Sequence, residues 1–275
     1  MTDLTVQENH FAFGKNWLDY AEKIDDIRIT QAIADLQRLN SGERFDGRHF
    51  LDIGCGSGIH ALSALRLGAA QVSCVDIDPD SVEASKRTLE RFAPNATAHC
   101  RVRSVFDMQP STDGQFDTVY SWGVLHHTGA MYKAIECAAA LVAPNGVFII
   151  ALYRKTPFCG MWRHIKRWYS ATTPAKQQRF MKGYIALTHF LMRLRGVDIE
   201  AKIANYRDSR GMDYYNDVHD WLGGYPYESI SPKDCVDFMA GLGFELQYSN
   251  THKVSKTLGF FGSGCDEFTF KRVAT

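Results

Sequence analysis

The chain has 275 residues, 45% of them apolar and 23% charged, and its formal net charge at neutral pH is zero. This composition is ordinary for a globular protein, and no apolar run approaches the roughly 18 residues that a membrane span needs. The first residues carry no secretory signal pattern and the seven cysteines form no CxxC pair, so we expect one α/β domain with an insertion, located in a reducing cytoplasm.

Residues 1–46 have apolar positions at helical spacing and predict one or two helices that end near residue 41. From residue 47 to residue 152, short apolar runs alternate with helical patterns, which predicts parallel strands joined by helical crossovers. The strands are predicted at 49–53, 71–76, 98–103, 116–121 and 147–152, with helices at 59–67, 79–92 and 130–142.

The alternation stops at residue 153. Residues 153–229, which we call the cap, are helix-like and rich in aromatic residues, and we expect them to cover one end of the sheet. Residues 230–275 return to the core with a capped helix and two strands that pair antiparallel. The predicted fold is therefore an α/β, Rossmann-like, mostly parallel seven-stranded sheet whose last strand is antiparallel, with helices on both faces and a helical cap inserted after strand 5.

Three alternating glycines follow the first predicted strand, in the segment Gly54–Gly58, which we call the glycine loop. Ligands of open α/β sheets bind at the carboxyl ends of the strands, where glycine lets the backbone approach them closely. The spacing departs from the G-x-G-x-x-G pattern of dinucleotide sites, since Ile59 occupies the third glycine position. Asp76 ends the second strand, where a carboxylate accepts hydrogen bonds from ribose hydroxyls. The pattern predicts a ligand with a ribose and without a pyrophosphate.

Five stretches in this order and at this spacing resemble the motifs of class I S-adenosylmethionine-dependent methyltransferases. They are "LDIGCGSG" at 51–58, "VDIDP" at 75–79, "RVRSVFD" at 101–107, "FDTVYSWGVLHHT" at 116–128 and "LVAPNGVFIIALY" at 141–153. The resemblance is strong over residues 48–152 and weak in the C-terminal strands. It implies an enzyme that transfers a methyl group from S-adenosylmethionine to an acceptor and leaves S-adenosylhomocysteine as the product.

The resemblance also assigns cofactor-binding roles by position. Asp52 and the glycine loop would hold the methionine part, Asp76 the ribose and Ile77 the adenine. Trp17, from the N-terminal helices, would either close the pocket or anchor the core, and Asp107 would either help to bind adenine or be an exposed turn acid. The predicted cofactor-binding residues are Trp17, Asp52, Gly54, Cys55, Gly56, Ser57, Gly58, Asp76, Ile77, Ser104, Val105 and Trp122.

The stretch "SWGVLHHT" after the fourth strand lacks the Asn/Asp-Pro-Pro-Tyr/Phe motif of family members that methylate nucleobase or glutamine nitrogens. It resembles the small-molecule branch, which includes the quinone-biosynthesis methylases. We therefore expect a small-molecule acceptor, methylated on oxygen, and no DNA partner. An acceptor hydroxyl needs a base, for which His127 is the first candidate and His126 the second. The alternative, that Leu-His-His only packs a helix start, stays open. This chemistry requires no metal.

The cap is strongly basic between residues 153 and 197, with ten Lys or Arg residues and no Asp or Glu. Two helical patterns, at 157–169 and 179–194, have one predicted apolar face and one basic face. Trp168 falls on the apolar face and Lys166 on the basic one. Three interpretations stay open: a cap with a solvated basic face, a lid whose arginines bind an anionic acceptor, and an interfacial helix at an anionic lipid surface.

Aromatic residues crowd a Gly-Gly-Tyr-Pro turn at 210–228, and we expect them to shape the acceptor site. The predicted acceptor-binding residues are His127, Tyr153, Tyr214, Tyr215, Trp221 and Tyr225. Two alternative functions are an RNA or protein methyltransferase that docks through the basic segment, and a non-catalytic protein that only binds S-adenosylmethionine. The sequence does not indicate an oligomeric state.

Overall fold

The computed structural model describes residues 14–206, 214–251, 259–260 and 262–273. The strands are β1 (His49–Ile53), β2 (Gln71–Asp76), β3 (Thr97–Val102), β4 (Phe116–Trp122), β5 (Val142–Tyr153), β6 (Phe244–Asn250) and β7 (Cys265–Arg272). The helices of these residues are α1 (Gly14–Glu22), α2 (Asp26–Leu39), α3 (Ile59–Arg66), α4 (Pro79–Phe92), α5 (Pro110–Asp113), α6 (Met131–Ala140), α7 (Cys159–Ala171), α8 (Pro174–Arg193), α9 (Ile199–Ala204), α10 (Tyr214–Gly223) and α11 (Pro232–Gly241).

The seven strands form one sheet in the order β3-β2-β1-β4-β5-β7-β6. Neighbours from β3 to β5 pair in parallel, whereas β7 pairs antiparallel with both β5 and β6. The predicted fold class is confirmed. Strand order reverses between β1 and β4, so the carboxyl ends of these two strands form the crevice in which open α/β sheets bind ligands.

Both faces of the sheet are buried, and residues 50–53 of β1 and 118–121 of β4 are accordingly all buried. Successive residues of β1 point to opposite faces, and Phe50 and Leu51 accordingly belong to two different core clusters. Helices α2 and α3 cover the Phe50 side, and α6 and α11 cover the Leu51 side. This support on both faces fixes the strand ends that carry the site.

The largest difference from the predicted boundaries lies between α6 and β5. The helix expected to run to residue 142 ends at Ala140, and β5 begins at Val142 instead of residue 147. Val142 is fully buried and pairs with Phe116, and the register then shifts before Val147 pairs with Thr118. Because Val142 is buried and paired, the residues predicted as a turn form an irregular first part of β5 instead.

The described part of the cap has its own core, in which α7, α8 and α10 pack around Trp162, Tyr169 and Leu222. The predicted faces of α7 are wrong at two positions. Lys166 is fully buried, while Trp168 is 47% exposed. The buried positions 162, 166 and 169 follow helical spacing, which places Lys166 on the inner face. No helix in the described part of the chain is both long enough and apolar enough to cross a bilayer.

Candidate active site

A cavity of about 1640 Å³ lies at the carboxyl ends of β1, β2 and β4. Helices α1 and α2 bound it on one side and the cap bounds it on the other. Pockets for single drug-sized ligands measure roughly 300–1,000 Å³. The cavity therefore has room for a cofactor and an acceptor side by side.

The glycine loop forms one wall of this cavity with bare main chain. Gly54 and Gly56 have φ values of +75° and +51°, in the left-handed region that favours glycine. A Cβ on Gly54 would overlap the Val124 side chain. Gly58 does not line the cavity, because its Cα faces α4, where a Cβ would lie 2.8 Å from Ser85 Cα. The cofactor contact predicted for Gly58 is thus replaced by helix packing.

Trp17 closes the glycine loop from the α1 side. A Cβ on Gly56 would lie 3.0 Å from the Trp17 indole carbons, so the ring lies directly against the loop. Trp17 lines the cavity, half-buried, and its ring meets Tyr20 edge-on at 5.9 Å. Of the two interpretations of Trp17, this placement favours pocket closure over a core anchor.

Two carboxyl groups lie at the ends of β1 and β2. Asp76 accepts hydrogen bonds from the main-chain N–H of Gly56 at 3.3 Å and of Asp78 at 2.9 Å, and burial raises its pKa to about 6. Asp52 is buried beside it, and its Oδ2 has no hydrogen-bond partner among the described residues. Burial, followed by the charge of Asp76, raises the pKa of Asp52 to about 8. A buried carboxyl oxygen without a partner is costly, and a ligand ammonium beside it would favour its charged form, so the site fits a ligand that carries an ammonium or hydroxyl donor.

The residues predicted for the adenine also line the cavity, namely Ile77, Ser104 and Val105. Arg103, which sequence reasoning missed, joins them and donates to the main-chain oxygen of Asp107 at 2.9 Å. Asp107 itself is exposed and does not line the cavity, as the turn-acid interpretation requires.

Trp122 lines the cavity in a polar wall that the sequence did not indicate. Its indole N–H donates to Glu267 at 2.9 Å, and Glu267 also accepts from Arg38 at 3.0 Å and from Asn250 at 2.8 Å. Burial raises the pKa of Glu267, but these donors outweigh it and hold the pKa below its usual value. The wall therefore carries a charged carboxylate, and it unites α2, β4, β6 and β7.

The two histidines after β4 have different environments. His127 lines the cavity, and its Nδ1 lies 2.7 Å from the carbonyl oxygen of Pro226. A carbonyl only accepts, so Nδ1 carries the hydrogen and Nε2 is the lone-pair nitrogen of the neutral ring. His126 is fully buried, lies outside the cavity lining and packs on the Tyr153 ring at 3.9 Å. Burial lowers its pKa well below 6.5, so this placement argues against the catalytic contact predicted for His126.

Four of the predicted acceptor-side aromatic residues line the cavity: Tyr153, Tyr214, Trp221 and Tyr225. Tyr153 ends β5 and meets Trp221 edge-on at 5.4 Å. Tyr215 does not line the cavity and is 48% exposed, since its neighbour Tyr214 occupies the inward-facing position of α10. This placement argues against the acceptor contact predicted for Tyr215.

Asp220 is a further cavity residue that sequence reasoning did not select. It accepts a 2.7 Å hydrogen bond from the side-chain amide of Asn16, which joins α10 of the cap to α1. Burial is the main cause that raises its pKa to about 7. The only signal in the sequence was its position within the aromatic stretch at 210–228.

Comparison with known proteins places this site in a family context. A family model described as a methyltransferase domain matches residues 51–150. The ubiquinone biosynthesis O-methyltransferase of Xanthomonas euvesicatoria pv. vesicatoria is 29% identical over 179 residues, which cover 65% of this chain and 72% of that protein. The protein of the same name from Xanthomonas axonopodis pv. citri is 28% identical over 168 residues, which cover 61% and 67%.

Solved structures share the fold at low sequence identity. Magnesium protoporphyrin IX methyltransferase from Synechocystis PCC 6803, with bound S-adenosylmethionine, superposes with a TM-score of 0.56 and 13% identity, over 99% of this chain and 98% of that one. PKMT2 from Rickettsia typhi, in complex with S-adenosylhomocysteine, gives a TM-score of 0.57 and 16% identity, over 86% and 52%. These similarities identify a methyltransferase domain over residues 51–150 and support the resemblance of the chain to the class I S-adenosylmethionine-dependent methyltransferases.

Proposed function

We propose that the protein transfers the methyl group of S-adenosylmethionine to an oxygen atom of a small-molecule acceptor, bound between His127 and the cap. The observation that carries this proposal is the orientation of His127, whose Nδ1 donates to Pro226 and whose Nε2 is therefore the basic nitrogen. The relatives named as ubiquinone biosynthesis O-methyltransferases support oxygen as the acceptor atom.

The residues at the strand ends fit the cofactor. Asp76 would hold the ribose hydroxyls, and Asp52 with the main chain of Gly54 and Gly56 would hold the amino-acid part. The side of the cavity lined by Ile77, Ser104 and Val105 would take the adenine. The sulfonium supplies an activated methyl group when it is bound, so the protein needs only to orient the acceptor, exclude water and remove a proton.

His127 is the group that we assign to the proton. An acceptor hydroxyl beside Nε2 would lose its proton to the ring as its oxygen takes the methyl group. The Pro226 carbonyl keeps the ring in one orientation and stabilises the imidazolium that forms, because it accepts from Nδ1–H throughout. The proton then passes to solvent and regenerates the neutral ring.

The walls of the acceptor side favour an aromatic molecule. Tyr153, Tyr214 and Trp221 present rings to the cavity, and such walls hold planar acceptors by stacking and edge contacts. Arg195 and Lys202 line the cavity at exposed positions, where they would attract an anionic group on the acceptor. We therefore infer a ring-containing acceptor that carries a hydroxyl and an acidic group.

The proposal is tested with S-adenosylmethionine labelled in its methyl group and incubated with cell extracts separated into metabolites, RNA and protein. We expect the label in an oxygen-linked methyl group of a small molecule. His127→Ala should keep cofactor binding and lose transfer, whereas Glu136→Gln, an exposed change on α6, should keep both. Label confined to RNA or protein, or full transfer by His127→Ala, would overturn the proposal.

A further inference from the structure

Helix α8 presents an exposed row of large apolar side chains. Leu187 is 49% exposed, Phe190 58% and Leu194 69%, and Val197 continues the row just beyond the helix. We call these four residues the apolar row. Positions 187, 190 and 194 lie on one side of a helix, so their exposure is a continuous strip and not a set of scattered residues.

The surface around the apolar row is basic. On α8 the exposed charged residues are Lys176, Arg179, Lys182 and Arg193. On α7 they are Arg163 and Arg167. No acidic residue occurs between residues 153 and 197, and the first one, Asp198, caps α9 by accepting from Ala201 N at 3.0 Å. Along α7 and α8 the apolar strip is thus flanked by charges of one sign.

Trp168 extends this surface from α7. It is 47% exposed, and its ring meets Phe180 of α8 edge-on at 5.2 Å. Phe180 lies two turns before Leu187, on the same side of the helix. A half-exposed tryptophan beside basic residues suits the boundary between lipid headgroups and acyl chains.

Helix α8 also lines the cavity, through Thr188, Leu191 and Met192. Leu191 is a helical neighbour of both Leu187 and Leu194, four residues after the one and three before the other. It therefore connects the cavity wall to the apolar row. One helix separates the outer strip from the acceptor side of the cavity.

We propose that this face of α7 and α8 docks onto an anionic lipid surface, where the basic residues meet the headgroups and the apolar row enters the boundary layer. Charge complementarity selects this occupant, because a second copy would bring the same basic surface against it. RNA would meet the basic residues but would gain little from leucines, which offer no flat face for base stacking.

Lipid docking would let an acceptor with a long apolar part pass along Leu191 into the cavity. This link to substrate class rests on the proposed function, whereas the docking itself does not. The docking test contains neither S-adenosylmethionine nor acceptor, so its outcome is independent of the transfer assay.

The full chain is sedimented with vesicles of phosphatidylcholine alone or of phosphatidylcholine with phosphatidylglycerol. We expect binding to the mixed vesicles only, with loss at high salt, because each basic residue near such a surface contributes about a fivefold gain in binding. Lys182→Gln with Arg193→Gln should weaken binding by about 25-fold on the same basis. Phe190→Ser with Leu194→Ser should also weaken it strongly.

Ile27→Ser is the matched control, since Ile27 is an exposed apolar residue of α2 and belongs neither to the cap nor to the apolar row. It should bind vesicles like the wild type. Cofactor affinity and melting temperature should be unchanged in all these variants, which verifies folding. Absence of binding by the wild type, equal binding by the Phe190/Leu194 variant, or salt-sensitive binding to RNA without binding to vesicles would overturn the proposal.

Discussion

The imidazole of His127 lies against the main chain of Gly224. A Cβ at position 224 would lie 2.8 Å from Cε1 of the ring and 3.4 Å from Nε2. Two residues later in the same turn, the Pro226 carbonyl accepts the Nδ1 hydrogen bond at 2.7 Å. The Gly-Gly-Tyr-Pro turn of the cap therefore orients the proposed base by one steric contact and one hydrogen bond.

Gly224→Ala should displace the His127 ring, because a methyl group there overlaps Cε1. We expect kcat to fall by about 10- to 100-fold, since a displacement near 1 Å has effects of this size, while cofactor affinity stays unchanged. Steady-state kinetics and calorimetry measure the two quantities. Gly183→Ala on α8 is the control, since a Cβ there meets nothing within 4 Å. An equal fall in both variants would show that the steric contact with His127 is irrelevant.

Asp76→Asn should weaken binding of S-adenosylmethionine by about 10- to 100-fold, because hydrogen bonds to a charged acceptor contribute roughly 1.5–3 kcal/mol. Calorimetric titration measures the loss, and Glu136→Gln is the control.

Without ligand, the effect of Asp76→Asn on the stability of the folded protein should have the opposite sign. The pKa of Asp76 is raised to about 6, so the stability that its neutral form contributes is lost as the pH rises through 6. Above pH 6 the melting temperature of the ligand-free variant should be no lower than that of the wild type. Unchanged cofactor affinity in Asp76→Asn would refute the assignment of Asp76 to the ribose.

Asp220→Asn tests the buried carboxyl that joins the cap to α1. Burial raises the pKa of Asp220 to about 7, so its contribution to stability is present at low pH and is lost as the pH rises through 7. The melting temperature of the variant should therefore exceed that of the wild type at pH 8, and this difference should be smaller at pH 5. Glu200→Gln, an exposed change on α9, should show no such trend. If the difference in melting temperature between Asp220→Asn and the wild type were the same from pH 5 to pH 8, that result would contradict a raised pKa of Asp220.

Local patterns in the sequence were sufficient for the sheet and for the place of the glycine loop at the end of β1. Strand, glycine loop and helix follow one another within residues 49–66, so the position of Asp52 and Gly56 needs no tertiary information. Gly58 was the exception, since only the packing of α4 decides that it faces Ser85 and not the cavity.

Other parts of the cavity depend on contacts between distant parts of the chain. Arg38 and Glu267 are 229 residues apart, and no local pattern pairs them. Neighbouring residues on a helix point about 100° apart, so Tyr214 and Tyr215 were equal candidates until the packing of α10 selected the first. His126 and His127 were both candidates for the base. The tertiary structure distinguishes them, because His127 lines the cavity whereas His126 is fully buried outside its lining.

Lys166 was predicted on the basic face of α7, opposite its apolar face, and is instead buried beside the Trp221 ring. Its Nζ lies 3.7 Å from the Trp221 ring centroid and donates to the Trp221 carbonyl. Burial lowers its pKa to about 7. Between this value and the value near 10.4 of an unfolded chain, the unfolded state binds more protons, so the stability of the wild type should rise with pH over this window.

Lys166→Met keeps the length of the side chain and removes its charge, so the rise in stability between pH 7 and pH 10 should become smaller. Urea unfolding at several pH values measures the slope. Arg167→Met removes a neighbouring charge that is exposed on the same helix, and it should keep the slope of the wild type. If the cation–π contact with Trp221 outweighed desolvation, the ammonium would stay charged in the folded state and the slopes of wild type and Lys166→Met would coincide. That result would contradict the lowered pKa, whereas a smaller slope in Lys166→Met alone would establish a lysine that folds in its neutral form.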